Sequence, residues 1–145
     1  MPDTVSYERR DAIAVLLTEF CFRADNGLGA TVAELFSEEA TLDTPHLNLR
    51  GKADIHAWFA NHPTDRLTRH CWTNMRVTAL GKDRYRVEYN VMTSVGQAPA
   101  PVQGGRFGIG SGADEVDFAS GTPLFVSRAL KIVFQGMLAA PETSA

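Results

Sequence analysis

The chain has 145 residues, 44% of them hydrophobic and 21% charged, which suits one folded domain burying about two-thirds of the surface its unfolded form exposes. This balance excludes disordered and collagen-like classes, and no stretch approaches the ~20 apolar residues of a membrane-spanning helix. The net charge of −3 comes from 14 Lys and Arg against 17 Asp and Glu with no long block of either sign, so neither nucleic acid nor a membrane surface is an expected partner.

The opening Met1-Pro2-Asp3-Thr4 lacks a basic segment followed by an apolar run, and a cytoplasmic location is therefore expected. From about Ser6 to about Asp25, Ile13, Leu16, Leu17, Phe20, Cys21 and Ala24 recur at three-and-four spacing and predict an amphipathic helix that Asn26-Gly27 stops. Val15 and Phe22 fall on its opposite side, where another subunit could cover them. Thr31-Val32-Ala33-Glu34 reads as a capping box opening a short helix that buries Val32, Leu35 and Phe36. A short strand is expected at Ala40-Thr41-Leu42-Asp43. Gly51 then opens a third helix carrying Ile55, Trp58 and Phe59 on one face, ended near Asn61-His62-Pro63 because the residue before a proline resists helical geometry.

From Leu67 the period changes to two. Strands are predicted over Leu67–Leu80, Arg84–Thr93, around Val116–Ala119, and over Leu124–Phe134, with turns at Gly81-Lys82-Asp83 and Ser120-Gly121-Thr122. Gly96–Gly112, rich in glycine and holding Pro99 and Pro101, reads as a long connection of the kind that forms a lid or pocket rim. A loose tail is expected from Pro141. Helices first and an antiparallel sheet afterwards indicate α+β, with helices on one face of a curved sheet and a pocket between them. No repeat or linker divides the chain, so residues 1–145 are expected to form a single domain. Cys21 and Cys71 sit among apolar neighbours, outside any CxxC motif, and are expected to be buried free thiols.

Some motifs lead away from common chemistries. His46, His56 and His62 lack the spacing and carboxylate company of a metal site. Gly105-Arg106-Phe107-Gly108-Ile109-Gly110 has dinucleotide flavour but does not join a strand to a helix, and it reads as a flexible loop. GxSxG and Walker-type sequences do not occur.

Asp25 lies at the edge of the apolar stripe and at a helix C-terminus, where burial and the macrodipole would both raise its pKa. Strand alternation puts His70, Trp72 and Asn74 on one face and Leu67, Cys71, Met75 and Val77 on the other. By spacing alone, Asp25 reads as a helix stop and His70 as a structural, hydrogen-bonded strand residue. Trp58 and Trp72 read as core aromatics or as walls of an aromatic pocket, and Asp43 as a second carboxylate that could face the cavity.

The order of local phrases resembles the NTF2-like superfamily, in particular its SnoaL-like branch, from about Tyr7 to Met137. The phrases are Ala24-Asp25-Asn26-Gly27, then Leu35-Phe36-Ser37-Glu38-Glu39-Ala40-Thr41, then Leu49-Arg50-Gly51-Lys52-Ala53-Asp54-Ile55, and finally Arg69-His70-Cys71-Trp72-Thr73-Asn74-Met75-Arg76-Val77. The last is similar to the Arg-His-x-x-Thr-Asn segment at the start of that family's long strand. The resemblance implies a cone: three N-terminal helices on a strongly curved, mainly antiparallel sheet around an apolar pocket, in homodimers or homotrimers.

It also implies that an Asp at the end of the first helix orients a His on the long strand, here Asp25 and His70. The carboxylate would fix the tautomer and support the imidazolium while the imidazole takes a proton from carbon. Many such enzymes carry Tyr or Lys about five residues before the Asp, where this chain has Phe20. Tyr85, Tyr89, Asn90, Arg106 or Arg128 could supply the missing donor, with Tyr89 and Asn90 also candidate substrate contacts. The expected function is a cofactor-independent lyase or isomerase, dehydratase-like, acting on a small, largely apolar aromatic, polyketide-, terpenoid- or sterol-like substrate. The alternative is a non-catalytic binding domain or the small subunit of an aromatic-ring dioxygenase, since the superfamily houses both.

Overall fold

The computed structural model describes residues 4–139 and Glu142. The tail expected from Pro141 onward falls, Glu142 apart, outside the described residues.

Helix α1 runs over Tyr7–Asp25. The Ser6 hydroxyl caps it by accepting from the Arg9 N–H at 3.2 Å, and Ile13, Leu16, Leu17 and Phe20 form its buried stripe. Asn26 ends it, with Gly27 at φ 75° taking the left-handed turn that glycine adopts without strain. Val15 and Phe22 are both exposed. The next helix is a 3-10 segment, Gly29–Leu35, and the expected capping box does not form. The Thr31 hydroxyl donates to the Leu28 carbonyl, and Glu34 turns to Arg23 of α1 at 3.0 Å. Gly29 packs so closely on the Phe59 carbonyl that a Cβ would overlap it, and this pins the segment as a tight turn. Val32 and Leu35, with the adjoining Phe36, are buried as expected.

Strand β1, Phe36–Thr44, is longer than the four-residue expectation and hairpins into β2, Leu47–Arg50, which the periodicity did not reveal. Helix α2, Lys52–Ala60, begins at Gly51 (φ 87°) and buries Ile55, leaving Trp58 41% exposed. Four long strands follow: β3 over Arg66–Ala79, β4 over Arg84–Gln97, β5 over Gly105–Asp117 and β6 over Leu124–Leu138. They form one six-stranded sheet in the order β2-β1-β6-β5-β4-β3, parallel only between β1 and β6 and not closed into a barrel. The three helices pack on it to make the α+β cone with an apolar pocket. Among the described residues no helix is long and apolar enough to cross a membrane.

One segment corrects the sequence reading outright. Residues 105–112, expected as a flexible loop, are the first half of β5, paired on both sides with β4 and β6. Its glycines sit at alternate positions, Gly108, Gly110 and Gly112, and at the last two neighbours crowd the backbone. A Cβ on Gly110 would strike the Lys131 carbonyl and one on Gly112 the Tyr89 ring. A glycine period of two thus hides a strand because it removes the apolar signal that marks one.

A second correction concerns β3. Between Thr73 and Arg76 the register slips, two residues standing opposite one, with Asn74 at φ 57°. The bulge reverses the alternation. Thr68, His70 and Trp72 face inward, and beyond the bulge Met75 and Val77 pack on the core while Asn74 turns to the outer surface. Cys71, expected buried, is consequently exposed, whereas Cys21 on α1 packs against the core and burial pushes its thiol up to about 11.

The core joins the helices to the inner sheet face through Ile13, Leu17, Phe36, Val87, Val116 and Phe125, all under 2% exposed. Each such side chain contributes about 1.5–3 kcal/mol relative to exposure. Phe20 meets Phe36 and Phe125 edge to face at 6.1 Å and Phe59 at 5.5 Å, an aromatic cluster below the pocket.

Candidate active site

The end of α1 and the start of β3 come together at Asp25. Its Oδ2 accepts from the backbone N–H of His70 at 2.8 Å, and its Oδ1 accepts from the Thr68 hydroxyl at 2.8 Å and lies 2.6 Å from His70 Nδ1. Arg69, pointing the other way, donates to the Asp25 carbonyl at 3.3 Å and to the Thr68 carbonyl at 2.7 Å, placing a cation at the helix C-terminus where the macrodipole favours it. The carboxylate side chain is 7% exposed and the imidazole 22%. An Nδ1–H given to the carboxylate leaves Nε2 as the basic nitrogen.

The electrostatics differ from the expectation of a raised Asp25 pKa. Burial pushes this carboxyl up, but the hydrogen bonds from the His70 ring and backbone, the charge of the imidazolium and the Thr68 hydroxyl together outweigh it. The result is a carboxyl held below the ordinary carboxylate value, an acceptor that stays charged beside the ring.

His70 lines a cavity of about 240 Å³ walled by Leu17, Phe20, Trp72, Val91 and Leu130. The cavity continues past His70 into an open channel of about 600 Å³ along the inward glycines of β5. Trp72 is a wall, its Nε1 donating to the Thr18 hydroxyl at 3.3 Å, and Trp58 stands at the exposed rim.

A second polar group lines the cavity. Tyr89 and Arg128 both reach it, and behind them lies Asp114, fully buried. Asp114 Oδ2 accepts from Arg128 Nε at 3.0 Å and from the Tyr89 hydroxyl at 2.9 Å, while Arg128 Nη2 donates to the Tyr89 oxygen. The guanidinium lies over the rings of Phe20 (4.1 Å) and Phe125 (4.2 Å). Burial pushes the Asp114 carboxyl up against the opposing pull of Arg128, and burial likewise raises the Tyr89 phenol. Asp114 Oδ1 has no hydrogen-bond partner among the described residues. The sequence reading missed Asp114 because it fell between the supposed loop, ending at Gly112, and the strand expected around Val116; extending the period of two back from Val116 would have placed it on the inner face.

Other candidates fall elsewhere. Asp43 does not face the cavity: Leu42 does, and strand parity sends Asp43 outward to Arg50 at 2.7 Å. Asn90, next to the inward Tyr89, is exposed on the outer sheet face and borders, with Asn74 and Arg76, a separate depression there. Tyr85 donates to the Lys82 carbonyl and packs on Phe118, away from the cavity. Arg106 is exposed at the channel mouth, and Phe20 forms cavity wall. His46 and His62 also border the cavity, whereas His56 is exposed. Among the described residues no group of three His, Cys, Asp or Glu is arranged to hold a metal ion.

A curved sheet capped by helices, with a carboxylate–imidazole pair on the wall of its cavity, defines a cone-shaped α+β fold. The sequence matches the SnoaL-like domain family over residues 5–120, and the chain belongs to that family. Its fold is similar to that of a hexachlorocyclohexane dehydrochlorinase (16% identity, TM-score 0.80, covering 95% of this chain and 94% of that one). It is similar also to a protein proposed to be a scytalone dehydratase from Novosphingobium aromaticivorans (17%, TM-score 0.79, 95% and 91%). The β subunit of a benzoate 1,2-dioxygenase from Burkholderia mallei shares the fold as well (14%, TM-score 0.71, 90% and 92%). At these identities the likeness is one of fold alone. None of the curated proteins matches the sequence.

Proposed function

We propose that the protein is a cofactor-independent lyase or isomerase in which His70 abstracts a proton from carbon. The observation that carries this reading is the 2.6 Å contact between Asp25 and His70 Nδ1 at the wall of an apolar cavity. In a dehydration, His70 Nε2 takes the proton, the C–H electron pair forms the new double bond, and the β-oxygen departs. The imidazolium then returns its proton to that oxygen, giving water and neutral imidazole. Asp25, charged throughout, stabilises the imidazolium and holds the ring's orientation. Arg128 presents its remaining guanidinium N–H groups from the same cavity and takes the part that Phe20 cannot, while the Tyr89 hydroxyl proton is committed to Asp114.

The fold shared with dehydratase-like and dehydrochlorinase neighbours supports elimination as the form of reaction to test first. Small cyclic β-hydroxy ketones incubated in D₂O would report either loss of water or deuterium at carbon, read by mass spectrometry. His70→Ala and Asp25→Asn are expected to lower the rate by about 10²–10⁴-fold while the protein stays folded. An intact rate in either variant would remove the pair from the mechanism.

The fold of the dioxygenase β subunit favours one other reading, a non-catalytic partner of a larger iron-bearing chain. Copurification with such a chain would support it; a homodimer or homotrimer that binds small apolar compounds alone would oppose it.

A further inference from the structure

We infer that the cavity selects an elongated organic anion: an apolar head that reaches His70 and a carboxylate held at the channel mouth by Arg66 and Arg106. The first observation is the sign of the lining. The chain holds more acidic than basic residues, 17 against 14, yet among the described residues no Asp or Glu side chain lines the cavity or its channel. Asp25 and Asp114, the carboxylates nearest to it, are turned behind His70 and Arg128. The mouth instead carries Arg66, Arg106 and His46. Neither arginine side chain has a carboxylate or hydrogen-bond partner among the described residues, whereas Arg9, Arg23, Arg50, Arg76 and Arg84 all do.

The second observation is register. Thr68 on β3 and Arg106 on β5 both stand opposite Val95 of β4, so the two arginines converge on the same end of the sheet from either side of that strand. Arg66 lies two inward positions beyond His70, about 13 Å along β3 at ordinary strand rise. Arg66 borders the chamber as well as the channel, whereas Arg106 borders the channel alone, so a compact ligand at His70 would not engage both guanidinium groups. A ring in the 240 Å³ chamber with an acidic chain in the channel would satisfy them, and guanidinium groups suit carboxylates through paired N–H donors. The inference takes from the proposed function only that the reacting end lies at His70.

Calorimetric titration of the intact protein tests it with three probes: 6-phenylhexanoate, its neutral analogue 6-phenylhexan-1-ol, and the shorter 3-phenylpropanoate. The hexanoate is expected to bind at least about tenfold more tightly than the alcohol and than the short acid. In the Arg66→Gln/Arg106→Gln double variant that preference over the alcohol disappears while the alcohol's affinity holds. An Arg10→Gln/Lys82→Gln variant, with the same change in net charge on exposed residues outside the cavity, keeps it. Equal binding of acid and alcohol, no binding of either, a preference surviving the mouth substitutions, or its loss in the control variant would each overturn the inference. The titration reads binding and not turnover, so a failed proton-abstraction mechanism would leave these outcomes readable by themselves.

Discussion

Two carboxylates stand behind two basic side chains that line the cavity, and they are built to opposite ends. Asp25 is saturated: both oxygens accept hydrogen bonds, from Thr68 and from the ring and backbone of His70, and its carboxyl is held low. Asp114 is buried completely, leaves one oxygen without a partner, and has its carboxyl pushed up by burial. The partner of Asp25 can gain and lose a proton; the partner of Asp114 is an arginine that cannot. The same pairing of residue classes thus yields a proton-handling pair on one wall and a fixed cationic anchor on another. What separates them is whether the basic partner can exchange its proton and how many donors reach the acid.

The contrast breaks most readily at the anchor. Arg128→Ala, which strands Asp114 as an uncompensated buried charge, is expected to cost about 3–5 kcal/mol in urea unfolding. The double variant Asp114→Leu/Arg128→Met is expected to cost less than that single change, since it removes both charges. A single-variant cost under about 1 kcal/mol would show that the buried pair anchors nothing.

Acid unfolding sharpens the contrast through its sign. Asp25, with a folded pKa below the ordinary 3.8, stabilises the fold above that value, and the contribution is lost as pH falls through the lowered pKa. Asp114, with a raised folded pKa, contributes stability below 3.8 that is lost as pH rises through its own value. Stability measured from about pH 2 to pH 7 should therefore lose part of its acid fall in Asp25→Asn. Asp114→Asn should instead lose part of its decline toward neutral pH. Curves altered in the same direction would end the distinction.

Smaller effects follow around Asp25. Thr68→Val removes one of its donors and is expected to cost about 1 kcal/mol in unfolding. Asp43→Asn, on the outward face of β1 with a half-exposed ion pair to Arg50, is expected to change stability by less than about 0.5 kcal/mol. It should also leave activity on the β-hydroxy ketone panel unchanged; a large loss there would mean that Asp43 reaches the substrate after all.

How legible the molecule was depended on where side chains carry periodic information. The α1 stripe, its Ser6 start and its Asn26-Gly27 stop were readable because burial of one helix face imposes a spacing. The phrases ending in Asp25 and containing His70 allowed the pair to be named together, although nothing local joins residues 45 positions apart. Where alternation was broken by a bulge at Asn74, or erased by glycines at 108, 110 and 112, the reading failed, and with it went Asp114 and the direction of Cys71.

The sequence by itself determined the class of fold and the helices-then-strands order, because both are written in spacing, and its resemblance to the SnoaL-like family named Asp25 and His70 together. Only the tertiary structure decided that Asp25 is held low instead of raised, that Asp43 and Asn90 point outward, and that Asp114 holds Arg128 at the cavity. Those outcomes depend on which donors arrive from distant strands and on the register that brings them, and neither is a local property of the chain.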